Sequence, residues 1–182
     1  MRPSPPSLVD LPVGVELRPL QMNRDSRGAF TELFREDWGT GFAPVQWNSA
    51  RSVPGTVRGV HCHVVHTDYV LVLEGQGVMG LRDLRAASAT SGRSVLVPMS
   101  GEELSVLTIP PGVAHGFCFP TGGIFLAGHD RHYDPNDELG CDPLDPDLGL
   151  AWPVRDPIIS ERDGQAQPLS GLIAELAPFQ PL

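Results

Sequence analysis

Glycine and proline punctuate this chain so densely that long helices have little room: 20 glycines and 19 prolines fall among 182 residues. Between them lie short runs of β-branched and aromatic residues. The runs are Val13 to Pro19, Ala29 to Leu33, Val45 to Ala50, Val57 to His63, Tyr69 to Leu73, Gly77 to Asp83, Ser94 to Pro98, Leu104 to Ile109, His115 to Phe119 and Ile124 to His129. Runs of this length separated by turn residues predict strands closing into a barrel or sandwich. The turns expected between them are Asp25 to Gly28, Pro54-Gly55, Glu74 to Gly77, Pro110 to Gly112 and Thr121 to Gly123. One helix is expected near the end, where Leu169, Leu172, Ile173 and Leu176 recur at helical spacing.

The length suits one domain over residues 14–182, preceded by a proline-rich arm over residues 1–13. Residues 134–152 read as an acidic, proline-rich loop wrapped on the barrel. No apolar run resembles a signal peptide or a membrane span, so the expectation is a cytoplasmic chain that does not engage a membrane. Cys62, Cys118 and Cys141 lack paired spacing and fit a reducing compartment, with Cys62 read as a small apolar residue.

Charge narrows the function classes. Acidic residues outnumber basic ones by 22 to 13, a net charge of −9, which argues against a nucleic-acid surface. All 13 basic residues are arginine, so lysine chemistry of every kind is excluded. Histidines concentrate in His61-Cys62-His63-Val64-Val65-His66-Thr67-Asp68 and at His115. Strand alternation puts His61 and His63 on one face and Cys62 on the other. His66 and His129 read as loop or surface residues. The spacing of Gly55, His61, His63, Asp68 and Gly75, followed by Pro110, Gly112 and His115, resembles the two motifs of metal-binding cupins, with aspartate in place of the usual glutamate. That resemblance implies a divalent transition metal held by His61, His63, Asp68 and His115, in an enzyme acting on a small polar metabolite.

A second resemblance spans residues 16–165. Asp25-Ser26-Arg27-Gly28-Ala29-Phe30-Thr31-Glu32, Val45-Gln46-Trp47-Asn48-Ser49, Val57-Arg58-Gly59-Val60-His61, Ile109 to Phe117, Tyr133-Asp134-Pro135 and Asp145 to Pro153 are similar to the dTDP-4-dehydrorhamnose 3,5-epimerase family. The resemblance implies an all-β, cupin-type jelly-roll barrel, a homodimer, and a nucleotide-linked 4-keto-6-deoxy sugar as substrate, with no cofactor. It implies that Arg27, Phe30, Glu32, Gln46, Asn48, Arg58, His115 and Tyr133 bind the nucleotide and diphosphate. Forked guanidinium contacts to phosphate and ring stacking on a base make that set chemically sensible.

The family's base is a histidine oriented by an aspartate, matched by His61 and Asp163. Its enolate-stabilising lysine aligns at or near Asp68, and its proton-donating tyrosine at Ala127. Both are absent, which leaves Arg58 as the electrophile and water, His129 or Tyr69 as the proton source. Single epimerisation at C3, a metal at the lysine's place, or ligand binding without catalysis are the three readings this leaves. The first two use His61 incompatibly, because an imidazole that ligates a metal has no lone pair left for a proton.

Overall fold

The computed structural model describes residues 10–179. Most of the proline-rich arm lies outside these residues; its last part is packed, with Val13 donating its N–H to Thr90 Oγ1 at 2.9 Å. The strands are β1 (Glu16–Pro19), β2 (Met22–Asp25), β3 (Gly28–Thr31), β4 (Gln46–Ser52), β5 (Thr56–Cys62), β6 (Asp68–Asp83), β7 (Ser94–Ser100), β8 (Ser105–Ile109), β9 (Val113–Phe119), β10 (Gly123–His129) and β11 (Leu139–Gly140). Two helices follow, α1 (Glu161–Gly164) and α2 (Leu169–Leu176).

β6 organises the architecture. Its first half pairs with β8 and β10, extending to β1 and β4, while its second half pairs with β7 and β9, extending to β5 and β11. All of these pairings are antiparallel. One strand thus belongs to two sheets, and the sheets face each other as an all-β, cupin-type jelly roll. β2 and β3 form a separate hairpin that pairs with no other strand among the described residues.

Side-chain alternation assigns each strand to two layers. On β6, Val70 and Val72 point between the sheets with Met79, Leu81, Leu107 and Phe119, while Tyr69 and Leu71 point outward to Leu20, Phe42 and Val106. On β5, Val60 and Cys62 point away from the interior into a third cluster with Leu148, Leu172 and Leu176. α2 covers that cluster. Leu169, Leu172 and Leu176 are buried as the periodicity predicts, whereas Ile173 is exposed, because a single neighbour layer covers a narrower arc than four positions span. The acidic stretch is a series of local caps, with Asp134, Asp142 and Asp145 each accepting the N–H two residues on. Asp145 also accepts the Leu169 N–H at 2.7 Å, tying the stretch to the start of α2.

The turn expected at Glu74 to Gly77 is not formed. β6 runs straight through it for 16 residues. Gly75 makes this possible with φ of +83°, and the register against β10 shifts between Ile124 and Phe125. A strand that bends at a glycine bulge reads in sequence like two strands and a turn. Among the described residues no helix is long and apolar enough to cross a membrane.

A Cβ at position 75 would lie 2.3 Å from the Gly122 carbonyl oxygen, on a backbone conformation that side chains disfavour. Gly75→Ala is therefore expected to cost about 3 kcal/mol in urea unfolding. Gly164→Ala, where nothing lies within 4 Å of the added carbon, is expected to stay within about 0.5 kcal/mol.

Candidate active site

β5 and β9 place His61 directly opposite His115, and β10 places Ala127 opposite Asn48 on one side and Val70 on the other. These faces enclose a cavity of about 190 Å³ whose walls include Arg58, His61, His115, Ala127 and His129, with Asp68 and His63 at its base. The close approach of β5 to β9 depends on Gly59, with φ of +91°, where a Cβ would meet Gly116 Cα at 2.9 Å.

His61 Nε2 donates to Asp163 Oδ1 at 3.1 Å. Asp163 sits in the first turn of α1, where Ser160 Oγ caps its N–H, and its other oxygen accepts the Gly59 N–H at 3.4 Å. Burial pushes the Asp163 carboxyl up, but the hydrogen bond and charge of His61 outweigh it and hold the group below the ordinary carboxylate range. A carboxylate so held orients the imidazole and fixes the proton on Nε2, leaving the Nδ1 lone pair. Nδ1 lies 4.0 Å from Glu138 Oε2. The dyad read from the sequence is thus assembled.

The metal set read from the sequence is corrected. His63, Asp68 and His115 come together, but His61 is turned to Asp163 and is replaced in the cluster by His66, a loop residue that is buried, and by His129 at the end of β10. Asp68 Oδ2 lies 3.6 Å from His63 Nε2 and 3.4 Å from His115 Nε2, while Oδ1 lies 3.6 Å from His66 Nε2 and 2.8 Å from His129 Nδ1. Burial alone would raise the Asp68 carboxyl; the facing imidazoles, His115 foremost, hold it well below its usual range. Burial pushes His63 down to about 3 against the pull of Asp68, and lowers His115 in the same way. In His66 the two carboxylates Asp68 and Asp137 together overcome burial and raise it.

A polar chain runs from this hub to the cavity mouth. Asn48 Nδ2 meets His129 Nε2 at 3.2 Å, Gln46 Nε2 donates to Asn48 Oδ1 at 3.1 Å, and the Tyr133 N–H donates to Gln46 Oε1 at 2.9 Å. Arg58 Nε donates to Ser52 Oγ at 3.2 Å, leaving most of its guanidinium donors uncommitted by that bond. Arg27, Phe30 and Glu32 lie elsewhere. They sit on or beside the β2–β3 hairpin, Arg27 paired with Asp25 at 2.6 Å and Glu32 with Arg35 at 3.4 Å, and Phe30 is 68% exposed.

Tyr69 is removed as a proton source. Its hydroxyl donates to the Leu33 carbonyl at 2.7 Å and accepts from Arg18, in the outer cluster on the far side of the sheet. Sequence reasoning passed over Asp137 and Glu138 as part of an acidic loop. Asp137 accepts from the Val64 N–H at 2.6 Å and meets His66 Nδ1 at 2.7 Å, and Glu138 Oε1 lies 3.7 Å from His63 Nδ1. His129 had a usable signal, since it stands two residues after Ala127 and strand alternation returns it to the same face. His66 had none, because it follows the end of β5 where no period applies. Cys62, buried against the outer cluster, has its thiol pushed up to about 12 by burial, in keeping with a packing role.

Residues 11–171 match the profile of the family described as dTDP-4-dehydrorhamnose 3,5-epimerase. A dTDP-4-dehydro-6-deoxyglucose 3-epimerase from Streptomyces bikiniensis is 34% identical over 146 residues, which is 76% of this chain and 74% of that protein. A dTDP-4-dehydrorhamnose 3,5-epimerase from Shigella flexneri is 32% identical over 152 residues, 79% of this chain and 84% of that one. Among solved structures, a 3′-monoepimerase from Streptomyces bikiniensis in complex with dTDP-quinovose superposes with a TM-score of 0.81 at 30% identity, covering 92% of this chain and 89% of that one.

The buried imidazoles set a pH dependence. His63 takes up a proton near pH 6.5 when unfolded but only at about pH 3 when folded, so the unfolded chain binds more protons across that window. Stability is expected to fall as the pH drops from about 6.5 towards 3, by about 1.4 kcal/mol per pH unit for this group, with His115 adding in the same direction. His66, raised, is protonated in both states there and adds no slope. Asp68 and Asp163 contribute stability that is present above about pH 4 and lost as the pH falls through their lowered folded values. Urea unfolding with a chelator present, from pH 7 to 4, is expected to show a shallower loss in His63→Gln than in the parent.

Proposed function

Since the chain belongs to the dTDP-4-dehydrorhamnose 3,5-epimerase family, we propose that it epimerises a dTDP-linked 4-keto-6-deoxyhexose at C3 alone. The observation that carries this reading is the His61–Asp163 dyad on one wall of a cavity whose opposite wall presents Ala127 in place of a proton-donating ring.

A proton next to a ketone is removable because the charge left behind moves onto the carbonyl oxygen. His61 is the base that takes the C3 proton, and Asp163 keeps its ring in place and stabilises the imidazolium that forms. The C4 oxygen gains the charge and needs a positive neighbour, and Arg58 on the cavity wall is the cationic side chain nearest to hand for it or for the diphosphate. Inversion requires a proton from the other face. On the β10 wall His129 is the protic side chain, and the space beside Ala127 has room for a water as the other proton source. One base and one small opposing donor serve one carbon, which is the basis for assigning C3 without C5.

The nucleotide is assigned to the mouth, where Gln46, Asn48 and Tyr133 gather, with His115 deeper in the cavity beside Asp68. Among the described residues the β2–β3 hairpin pairs with no other strand, and it exposes Phe30. A homodimer resolves this, with Arg27, Phe30 and Glu32 of one protomer closing on the cavity of its partner, the ring stacking on the base and the arginine reaching a phosphate. Every group in this scheme is a side chain, so it asks for no organic cofactor. Three free, buried cysteines fit a reducing cytoplasmic setting.

Adding dTDP is expected to raise the melting temperature, and a dTDP-4-keto-6-deoxyhexose in deuterated water is expected to lose its C3 proton signal and keep the one at C5. His61→Asn is expected to lower kcat by about 10²- to 10⁴-fold while the dTDP-induced shift persists. A protein indifferent to dTDP and silent in exchange would overturn the reading. Phe30→Ala is expected to weaken dTDP binding about tenfold, since a base–aromatic stack is worth about 1–3 kcal/mol, and sedimentation is expected to give a dimer.

A further inference from the structure

Three imidazoles point at Asp68 with their outer nitrogens already engaged. His63 Nδ1 donates to the Asp137 carbonyl at 2.7 Å, His66 Nδ1 to Asp137 Oδ2 at 2.7 Å, and His115 Nδ1 to the Val113 carbonyl at 3.1 Å. In a neutral imidazole each of these bonds places the proton on Nδ1 and turns the Nε2 lone pair inward. The three lone pairs then face carboxylate oxygens at 3.4 to 3.6 Å, longer than a well-made hydrogen bond. Negative ends meeting in a dry pocket repel one another, and a cation between them turns that repulsion into attraction.

His66 supplies the second, independent observation. Its side chain is 9% exposed, and its Nε2 has no hydrogen-bond partner among the described residues. The ligand atoms of His63, His66 and Asp68 lie within 4.8 Å of one another, so a small inward shift brings them to the 2.0–2.2 Å bonds that zinc makes with nitrogen and oxygen. Outer N–H groups pinned on carbonyl and carboxylate oxygens are what ligating histidines require. His129, whose Nε2 meets Asn48, brings its Nδ1 to 2.8 Å from Asp68 Oδ1 on the remaining side without hydrogen-bond alignment.

We propose that His63, His66, His115 and Asp68 bind one first-row divalent transition metal, Zn²⁺ or Fe²⁺ being the kind suited to imidazole and carboxylate donors. His61 is not a ligand, since it is committed to Asp163. The site opens on the cavity through His63, Asp68 and His115, so a ligand oxygen has a position on the metal. That the metal polarises the C4 carbonyl rests on the epimerase reading; the site itself does not.

The test uses the full, untagged chain purified without chelator. Elemental analysis is expected to find about one metal per chain, and the stripped protein, titrated with Co²⁺, is expected to develop a visible ligand-field band. His66→Gln, His63→Gln and His115→Gln are each expected to lower Co²⁺ affinity at least about tenfold, and His61→Asn is expected to leave it unchanged. Circular dichroism identifies which variants fold, and the three separate ligand changes ensure that one misfolded variant does not leave the result open. Absence of stoichiometric metal in the folded parent overturns the proposal. So does affinity that survives in the folded ligand variants, or that disappears in His61→Asn. The dTDP-induced thermal shift is recorded in parallel: a metal-free protein that responds to dTDP sinks this inference alone, and a metal-binding protein that ignores dTDP sinks the epimerase reading alone.

Discussion

Asp68 begins the longest strand with 2% of its surface exposed, and an ion placed there has to be compensated by whatever packs against it. The imidazoles that face it arrive from separate elements: His63 and His66 from the segment after β5, His115 from β9, His129 from β10. Asp137, from a segment far along the chain, then holds two of those imidazoles from behind. One buried carboxylate therefore coordinates the meeting of both sheets with the acidic stretch, and the cavity exists where they meet. Removing the charge would release several histidines at once, whereas removing one histidine leaves others to share the load.

Beside this hub stands a second imidazole–carboxylate unit with a different character. His61 and Asp163 form a simple pair anchored on a single helical turn, open to the cavity and to solvent. Glu138 stands between the two units, 4.0 Å from His61 Nδ1 and 3.7 Å from His63 Nδ1. Residues two apart at the end of β5 thus feed two chemistries: His61 on the strand is positioned to move a proton, and His63 just beyond it to share a charge. The separation answers the conflict noted in the sequence, where one histidine was claimed both as base and as ligand.

Strand period made much of this readable. Alternation alone put His61 and His63 on the inner face with Cys62 opposite, and the structure keeps that arrangement, with Cys62 in the outer cluster beside Leu148 and Leu172. It misled where a glycine changes the local rule: Gly75 looks like a turn and instead bends a continuous strand. It was silent on His66 and Asp137, which belong to no periodic element and meet only through long-range packing. The family motifs carried the dyad across about a hundred residues of chain, a link that periodicity could not supply.

What the amino-acid order determined by itself is what local chemistry determines: short strands from branched and aromatic runs, a short amphipathic helix, no lysine anywhere, an arginine and a histidine pair on one strand, and no tyrosine where a donor was expected. Only the tertiary structure decided that Asp68 is buried against the cavity, that four imidazoles surround it, and that Tyr69 faces away. The reason is physical: a side chain's type and face follow from its own strand, but its partner depends on which distant backbone is pressed against it and on what the buried charge between them demands.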